Sequence, residues 1–379
     1  MIGNIDTATL QQLWWLICSI VGCLFLFLTF VQGGQTLLWQ VAKTETEKSL
    51  IINSLGRKWE ITFTTLVLFG GALFAAFPKF YATSFGGAYW VWELILFTFI
   101  IQAVSYEYRS KPDNLLGAKT YELFMFINGS LGILLIGAAV GTFFTGANFR
   151  LSEYNLVTWT TPLRGLEAAF NLFNIALGVF LVFNARILGA MYLINNIDFS
   201  QVEDFEKRLR RSVIVNFIIA LPFLLYVLAK LVTINGFGID EHGVVAIVPH
   251  KYLANLLANP VIPILLLAGL VLVILGVLSA SWSTKKSAIW FGGLGTILVG
   301  LAVFCTAGYN NTAFYPSLAD LQSSLTIYNA SSSHYTLTAM TYVALTIPFV
   351  LAYVGHVWNA MDLRKLKASE MDDQYGDLY

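Results

Sequence analysis

The sequence predicts an all-α, polytopic integral membrane protein with nine transmembrane helices, the N-terminus outside and the C-terminus cytoplasmic. Three observations carry this. Apolar runs of about 20 residues, the length of helix that crosses a bilayer's hydrocarbon core, recur along nearly the whole chain. Of 379 residues, 57% are hydrophobic and 12% charged, too little polar material for a water-soluble fold of that size. Lys and Arg fall into alternate gaps between the runs. Only helices or closed barrels satisfy their backbone polar groups in lipid, and runs of this length are helical.

The spans are expected at residues 10–37, 61–83, 88–107, 121–145, 166–194, 211–234, 260–281, 288–308 and 336–359. The gap after the first holds Lys43, Lys48, Arg57 and Lys58; that after the third, Arg109, Lys111 and Lys119. Lys207, Arg208, Arg210 and Arg211 follow the fifth, Lys285 and Lys286 the seventh, and Arg364, Lys365 and Lys367 the last. These are sixteen of the 22 basic residues. The even gaps hold only Lys79, Arg150, Arg164 and Lys251, and Arg186 and Lys230 lie inside spans. Positive charge stays on the cytoplasmic side during insertion, so the tail is inside. An odd number of crossings then puts the N-terminus outside.

No Lys or Arg precedes Lys43, so a cleaved leader with a basic start is not expected and the first helix is retained. Zero net charge and the lack of a basic tract argue against nucleic acid as a partner. Cys18, Cys23 and Cys305 read as small apolar fillers of spans, not as metal ligands or a disulfide. Residues 1–379 read as a single transmembrane domain. The longest polar gaps are 38–60, 146–165, 235–259 and 309–335, and Asp198–Arg211 reads as a cytoplasmic helical extension, acid first and base last. Gly-rich stretches in several spans signal close helix packing. Trp14, Trp15, Tyr89, Trp90, Trp92 and Trp358 stand where an interfacial aromatic belt is expected.

Charge inside a span is unfavourable and marks candidate functional positions. Glu93, in YWVWELILF, reads either as a protonatable group facing a protein interior or water file, or as a protonated carboxyl bonded to a neighbouring helix. Trp59 and Glu60 stand at the cytoplasmic mouth of the second helix, where a carboxylate collects protons or merely complements the helix dipole. Glu107 and Arg109, in YEYRSK, suit an interfacial ion pair, and Glu122 opens the fourth helix. Arg186 and Lys230 snorkel or pair. A six-coordinate haem usually takes two axial side chains, mostly His or Met. His242, His250 and His334 fall in or beside outward loops and only His356 lies in a span, so no pair is placed to clamp a porphyrin. No phosphate loop, zinc spacing or nucleophile elbow is present. No catalytic centre is expected in this chain alone.

From the second helix onward the wording becomes specific. Asn53-Ser54 leads to Trp59-Glu60, then Gly70-Gly71-Ala72-Leu73-Phe74-Ala75-Ala76-Phe77-Pro78, then Tyr106-Glu107-Tyr108-Arg109-Ser110-Lys111, and later Ser324-Leu325-Thr326-Ile327-Tyr328-Asn329-Ala330-Ser331-Ser332. Together these closely resemble subunit II of the cytochrome bd-type ubiquinol oxidases, over a stretch running from Trp14-Trp15 to Leu378-Tyr379. The resemblance implies a nine-helix subunit of a bacterial cytoplasmic (inner) membrane quinol:oxygen oxidoreductase. Such a subunit pairs as a heterodimer with a homologous subunit I that carries two b-type haems and haem d, usually with a small single-span subunit. Subunit II holds no haem, and some relatives carry a structural quinone in it. The carboxylate after the Trp of the second helix marks a proton uptake route, a role that maps onto Glu60. Relatives have two Asp in the first helix where Thr29 and Gln32 stand here, before Gly33. Thr62, Phe63 and Thr65 likewise replace their Asn, acid or amide, and Trp. Thr29 and Gln32 do not ionise but hold water, and Glu93 is a candidate to compensate. The alternative is a secondary transporter, for which Glu93, Arg186 and the Gly-rich spans give some footing but paired broken helices are not evident.

Overall fold

The computed structural model describes residues 2–111, 113–283 and 285–371. Among these, eight helices are long and apolar enough to cross a membrane: α1 (Thr7–Thr36), α2 (Glu45–Ala76), α3 (Tyr89–Tyr108), α4 (Ala118–Thr145), α5 (Leu172–Asn196), α6 (Glu203–Thr233), α7 (Val261–Trp282) and α8 (Ala288–Gly308). The ninth crossing, α9, is a bent pair, His334–Ala344 and Ile347–Asp362, turned by 41° at the break. Pro348 lies in the first turn of its second half, where a missing N–H is tolerated. The end of the stretch carrying the resemblance, Leu378-Tyr379, lies outside the described residues.

Long-range contacts sort the gaps into two faces, the same two that the basic residues mark. On the basic face, Lys58 meets Asp362, the Asp198 amide donates to the Leu366 carbonyl, and Arg210 donates to the carbonyls of Ala280 and Ser283. On the opposite face the gaps carry three antiparallel hairpins, a departure from purely helical structure. They are β1 (Phe149–Leu151) with β2 (Val157–Trp159), β3 (Gly236–Ile239) with β4 (Val245–Val248), and β5 (Ala313–Tyr315) with β6 (Leu325–Thr326). Bridges Ala147–Ser317 and Gly238–Thr312 tie them together.

The largest correction to the expected boundaries concerns the second helix. It begins at Glu45, not 61, and ends at Ala76, not 83. Thr44 caps it, its side chain accepting from the Glu47 amide at 3.2 Å, with acids in the first turn as the helix dipole favours. Residues 45–60 are enclosed almost all round: Leu50 to Gly56 are all buried, and so are Glu47 and Lys58. A hydropathy window averages the charged and amide side chains with the apolar ones and reads a loop. The fifth span starts at Leu172 after a short 3₁₀ turn, Leu166–Phe170.

Helices α1 and α5 form the centre of the bundle; their apolar windows are 67% and 72% buried, against 22% for α2. Small residues let them approach closely. A Cβ at Gly33 would stand 1.9 Å from the Ala185 carbonyl carbon and oxygen, so the backbones touch there. Gly33→Ala is therefore expected to destabilise the fold by about 1–3 kcal/mol through overpacking, read as a lower thermal midpoint of the purified protein. An unchanged midpoint would contradict this contact. Trp14, Trp15 and Trp358 are not belt residues but core ones. Trp15 Nε1 donates to the Phe304 carbonyl at 3.1 Å and Trp14 Nε1 to Thr341 Oγ1 at 3.0 Å, the partners buried indoles need. Trp90 is 43% exposed and suits a belt.

Candidate functional site

Glu60 lies about 22 Å along α2 from its start, so it is no partner for that helix's N-terminal dipole. It is exposed and lines an open cavity of about 610 Å³ with Gly56, Arg57, Ile61, Met361 and Arg364. Arg57 Nη1 donates to the Met361 carbonyl at 2.9 Å, which ties this cavity to the basic face. Trp59, one residue earlier, points elsewhere: its ring stacks on Tyr106 at 5.9 Å and 9°, and its buried Nε1 has no hydrogen-bond partner among the described residues.

Thr29 and Gln32 are buried. The Thr29 hydroxyl donates to the Leu26 carbonyl. Gln32 opens a network of neutral amides between α1, α3 and α4. Its Nε2 reaches Gln102 Oε1 at 3.4 Å, and Gln102 Nε2 donates to Gln35 Oε1 at 2.9 Å. Gln35 donates onward to Asn128 Oδ1 and the Met125 carbonyl, both at 2.8 Å, and Tyr106 OH donates to Gln35 Oε1 at 3.2 Å. Gln32 Oε1 is buried and without a hydrogen bond among the described residues. Buried acceptors in that condition are satisfied by internal water. The π-helical turn Asn128–Gly132 in α4 presents Asn128 to this network.

Glu93 is exposed on this chain: α3 turns it outward, away from the chain's own helices. Glu107 and Arg109 do not pair with each other. Glu107 makes a loose, exposed pair with Lys111 at 3.7 Å. Arg109 turns inward onto Glu122, Nη2 to Oε1 at 2.7 Å and Nε at 3.2 Å. Glu122, expected only as an ordinary helix-opening acid, is 1% exposed. It also accepts from Trp39 Nε1 at 2.7 Å and meets Lys48 Nζ at 3.3 Å. Glu45 reaches both cations from the exposed side. A second buried pair was equally missed: Lys58 Nζ is bonded to Asp362 Oδ1 at 2.9 Å and stands 4.8 Å from the Trp358 ring. The Asp362 oxygen also accepts from Asn196 Nδ2 at 3.0 Å. On the cytoplasmic surface, the Ser200 backbone N–H holds the Asp198 carboxyl below the usual range. Two isolated signals pointed to the buried groups: Gln35 and Gln102 are uncharged amides in apolar runs, and Glu122 borders such a run thirteen residues after Arg109. Among the described residues, no group of three His, Cys, Asp or Glu side chains gathers as a metal site.

The motifs that carry the resemblance meet in space. Ser332 caps the GGALFAAFP helix end, its amide donating to the Ala76 carbonyl at 2.8 Å and its hydroxyl to Ala75 at 2.6 Å. Trp59 and YEYRSK meet through the ring stack. Fold and site together define a polytopic membrane subunit with polar groups concentrated at its cytoplasmic end and on one lateral face. The chain belongs to the cytochrome bd terminal oxidase subunit II family, whose model matches residues 10–361. It is 29% identical over 373 residues to the cytochrome bd-I ubiquinol oxidase subunit 2 of Escherichia coli K12, covering 93% of this chain and 94% of that one. It is 25% identical to the cytochrome bd ubiquinol oxidase subunit 2 of Bacillus subtilis, covering 94% and 97%. In fold it is similar to a chain of the bd oxidase from Geobacillus thermodenitrificans, with a TM-score of 0.66 at 13% identity over 94% of this chain and all of that one.

Proposed function

We propose that the chain works as one transmembrane unit, the non-haem subunit II of a bd-type terminal quinol oxidase in the bacterial cytoplasmic membrane, and that α2, α3 and α9 form the face that docks haem-bearing subunit I. One observation carries the docking face: Glu93 on α3 and His356 on α9 are exposed there, with Glu60 of α2 exposed at its cytoplasmic end, and polar groups within spans face protein or water, not lipid tails. The middle of the exposed face of α6 and α7 is aliphatic by contrast, with Ile218, Leu225, Ile264, Leu267, Val271 and Ile274, and suits lipid; the exposed Lys230 stands in the last turn of α6. The oxidase oxidises quinol and reduces oxygen to water; the haems b and d belong to subunit I, and a small single-span subunit completes the assembly. The transporter reading finds no support in the family to which the chain belongs.

Within that complex Glu60 serves as the cytoplasmic proton acceptor at the mouth of the α2–α9 cavity. Gln32 and Thr29 contribute water-holding positions, not titrating ones, and Glu93 faces subunit I. Trp59, Glu107 and Arg109 are structural. A structural quinone, where present, suits the outer-face cavity of about 310 Å³ whose walls include Trp92, Trp159 and Tyr315 with Ser84, Thr142 and Asn174; rings and neutral hydrogen-bonding groups are what a quinone ring takes. Glu60→Gln in the assembled complex is expected to lower oxygen consumption and cytoplasmic proton uptake together, by about 100-fold, the low end for loss of a general acid–base group. Unchanged values of both remove Glu60 from the route.

A further inference from the structure

Arg186 is a permanent cation within α5 that meets no carboxylate among the described residues. Its guanidinium is instead held by neutral acceptors. Nε donates to Asn216 Oδ1 of α6 at 2.7 Å. Nη1 donates to Thr36 Oγ1 at 2.8 Å and to the Thr36 carbonyl at 3.4 Å. Nη2 donates to Gln40 Oε1. Each acceptor is itself oriented: Asn216 Nδ2 donates to Ser212, and the Thr36 hydroxyl donates to the Gly33 carbonyl. A guanidinium carries five N–H groups, so one Nη2 hydrogen remains unmet, and the charge faces the Phe183 ring at 6.0 Å but no carboxylate among the described residues. The acids on neighbouring elements are already committed. Glu47 is bound to Arg208, and Glu122 to Arg109 and Lys48.

Depth and surroundings say what neutralises it. Gln40 is exposed and precedes Val41, whose carbonyl accepts from Arg208 Nε at 2.7 Å; Arg208 belongs to the cytoplasmic basic cluster. The Arg186 head therefore lies at the cytoplasmic headgroup level, reached by snorkelling from a position inside the span. Trp39, 47% exposed, marks the same level as an interfacial indole does. On α6 the neighbouring exposed side chains are Ile218 and Ile219, a surface for acyl chains. We infer that Arg186, held by Thr36, Gln40 and Asn216, binds the phosphate of an anionic phospholipid of the cytoplasmic leaflet. The fork geometry of arginine suits phosphate oxygens, and basic clefts between spans on the cytoplasmic side take such headgroups.

The test uses the whole oxidase complex in nanodiscs of phosphatidylcholine, with and without phosphatidylglycerol. Phosphatidylglycerol is expected to raise the thermal midpoint of the wild type and to be retained through purification, as read by mass spectrometry. Arg186→Gln is expected to retain about fivefold less of it, the worth of one basic residue at a membrane surface, and to lose the shift. Lys207→Gln removes a charge elsewhere on α6, at a side chain 73% exposed, and is expected to keep both. Inorganic phosphate added to phosphatidylcholine discs is expected to do nothing. Equal retention by wild type and Arg186→Gln overturns the inference, and so does a shift with inorganic phosphate equal to that with lipid, which assigns a free-anion site. Where Arg186→Gln fails to assemble, phosphatidylglycerol titrated into the wild type decides: a saturable shift is expected, and a rise linear in lipid content overturns the inference.

Discussion

Glu122→Gln is expected to destabilise the subunit by about 3–5 kcal/mol, the penalty for leaving buried charges uncompensated. Glu122 is the one enclosed acid against two cations, Arg109 and Lys48, whose side chains are 7% and 16% exposed. The remaining acid, Glu45, is 75% exposed, and water screens its attraction. An amide keeps the shape and the Trp39 bond but not the charge, so both cations remain in a weakly polar surrounding. The measurement is thermal or denaturant unfolding of the purified complex, completed by a double-mutant cycle. Arg109→Gln in the Glu122→Gln background is expected to restore part of the loss, because it removes one of the stranded charges. A Glu122→Gln variant within about 0.5 kcal/mol of wild type, the range of ordinary surface substitutions, would show that this cluster is not what joins α2, α3 and α4.

Asp362→Ala is the second large effect, and the two partners of this pair are expected to respond unequally. The Lys58 side chain is fully enclosed, whereas that of Asp362 is 15% exposed. Removing the acid strands a wholly buried ammonium and is expected to destabilise by about 3–5 kcal/mol. Lys58→Met leaves a carboxylate that keeps its bond from Asn196 and some water, so its effect is smaller. The double variant is expected to be milder than Asp362→Ala alone. Asp362 also anchors the segment after α9, where Leu366 exchanges backbone bonds with Asn196 and Asp198. Limited proteolysis is a second readout: the segment after residue 362 should become cleavable in Asp362→Ala while the bundle resists. Equal effects of the two single variants would contradict the unequal burial.

How much of this was legible in one dimension depends on which physical quantity each feature rests on. The nine apolar runs, their sidedness and the family follow from local composition, so GGALFAAFP, YRSK and the alternating basic gaps are enough. The cytoplasmic half of α2 escapes a hydropathy average because Glu45, Glu47, Lys48, Arg57 and Lys58 lower its mean, although Leu50 to Gly56 are all buried. The break in α9 was not read either, although Pro348 marks it. Among candidate residues, Glu60 reads in sequence as a helix-start residue, which it is not, because α2 begins at Glu45. Glu93 stands out as an unusual charge, and the sequence leaves its direction open. Glu122, Lys58 and Asp362 were passed over or left unpaired. Each looks ordinary at its own position; only its partner, up to some three hundred residues away, makes it a buried ion pair.

What the sequence by itself determined is therefore the class of solvent and the order of crossings: hydrophobic length and the placement of Lys and Arg act residue by residue and need no neighbours. The tertiary structure alone decided which polar groups are enclosed, which face outward, and which cation lacks an anion. Burial and pairing are properties of two or more segments brought together. Two carboxylates alike in sequence, Glu60 and Glu122, come to lie on opposite sides of that division because α2 and α4 turn them to different faces.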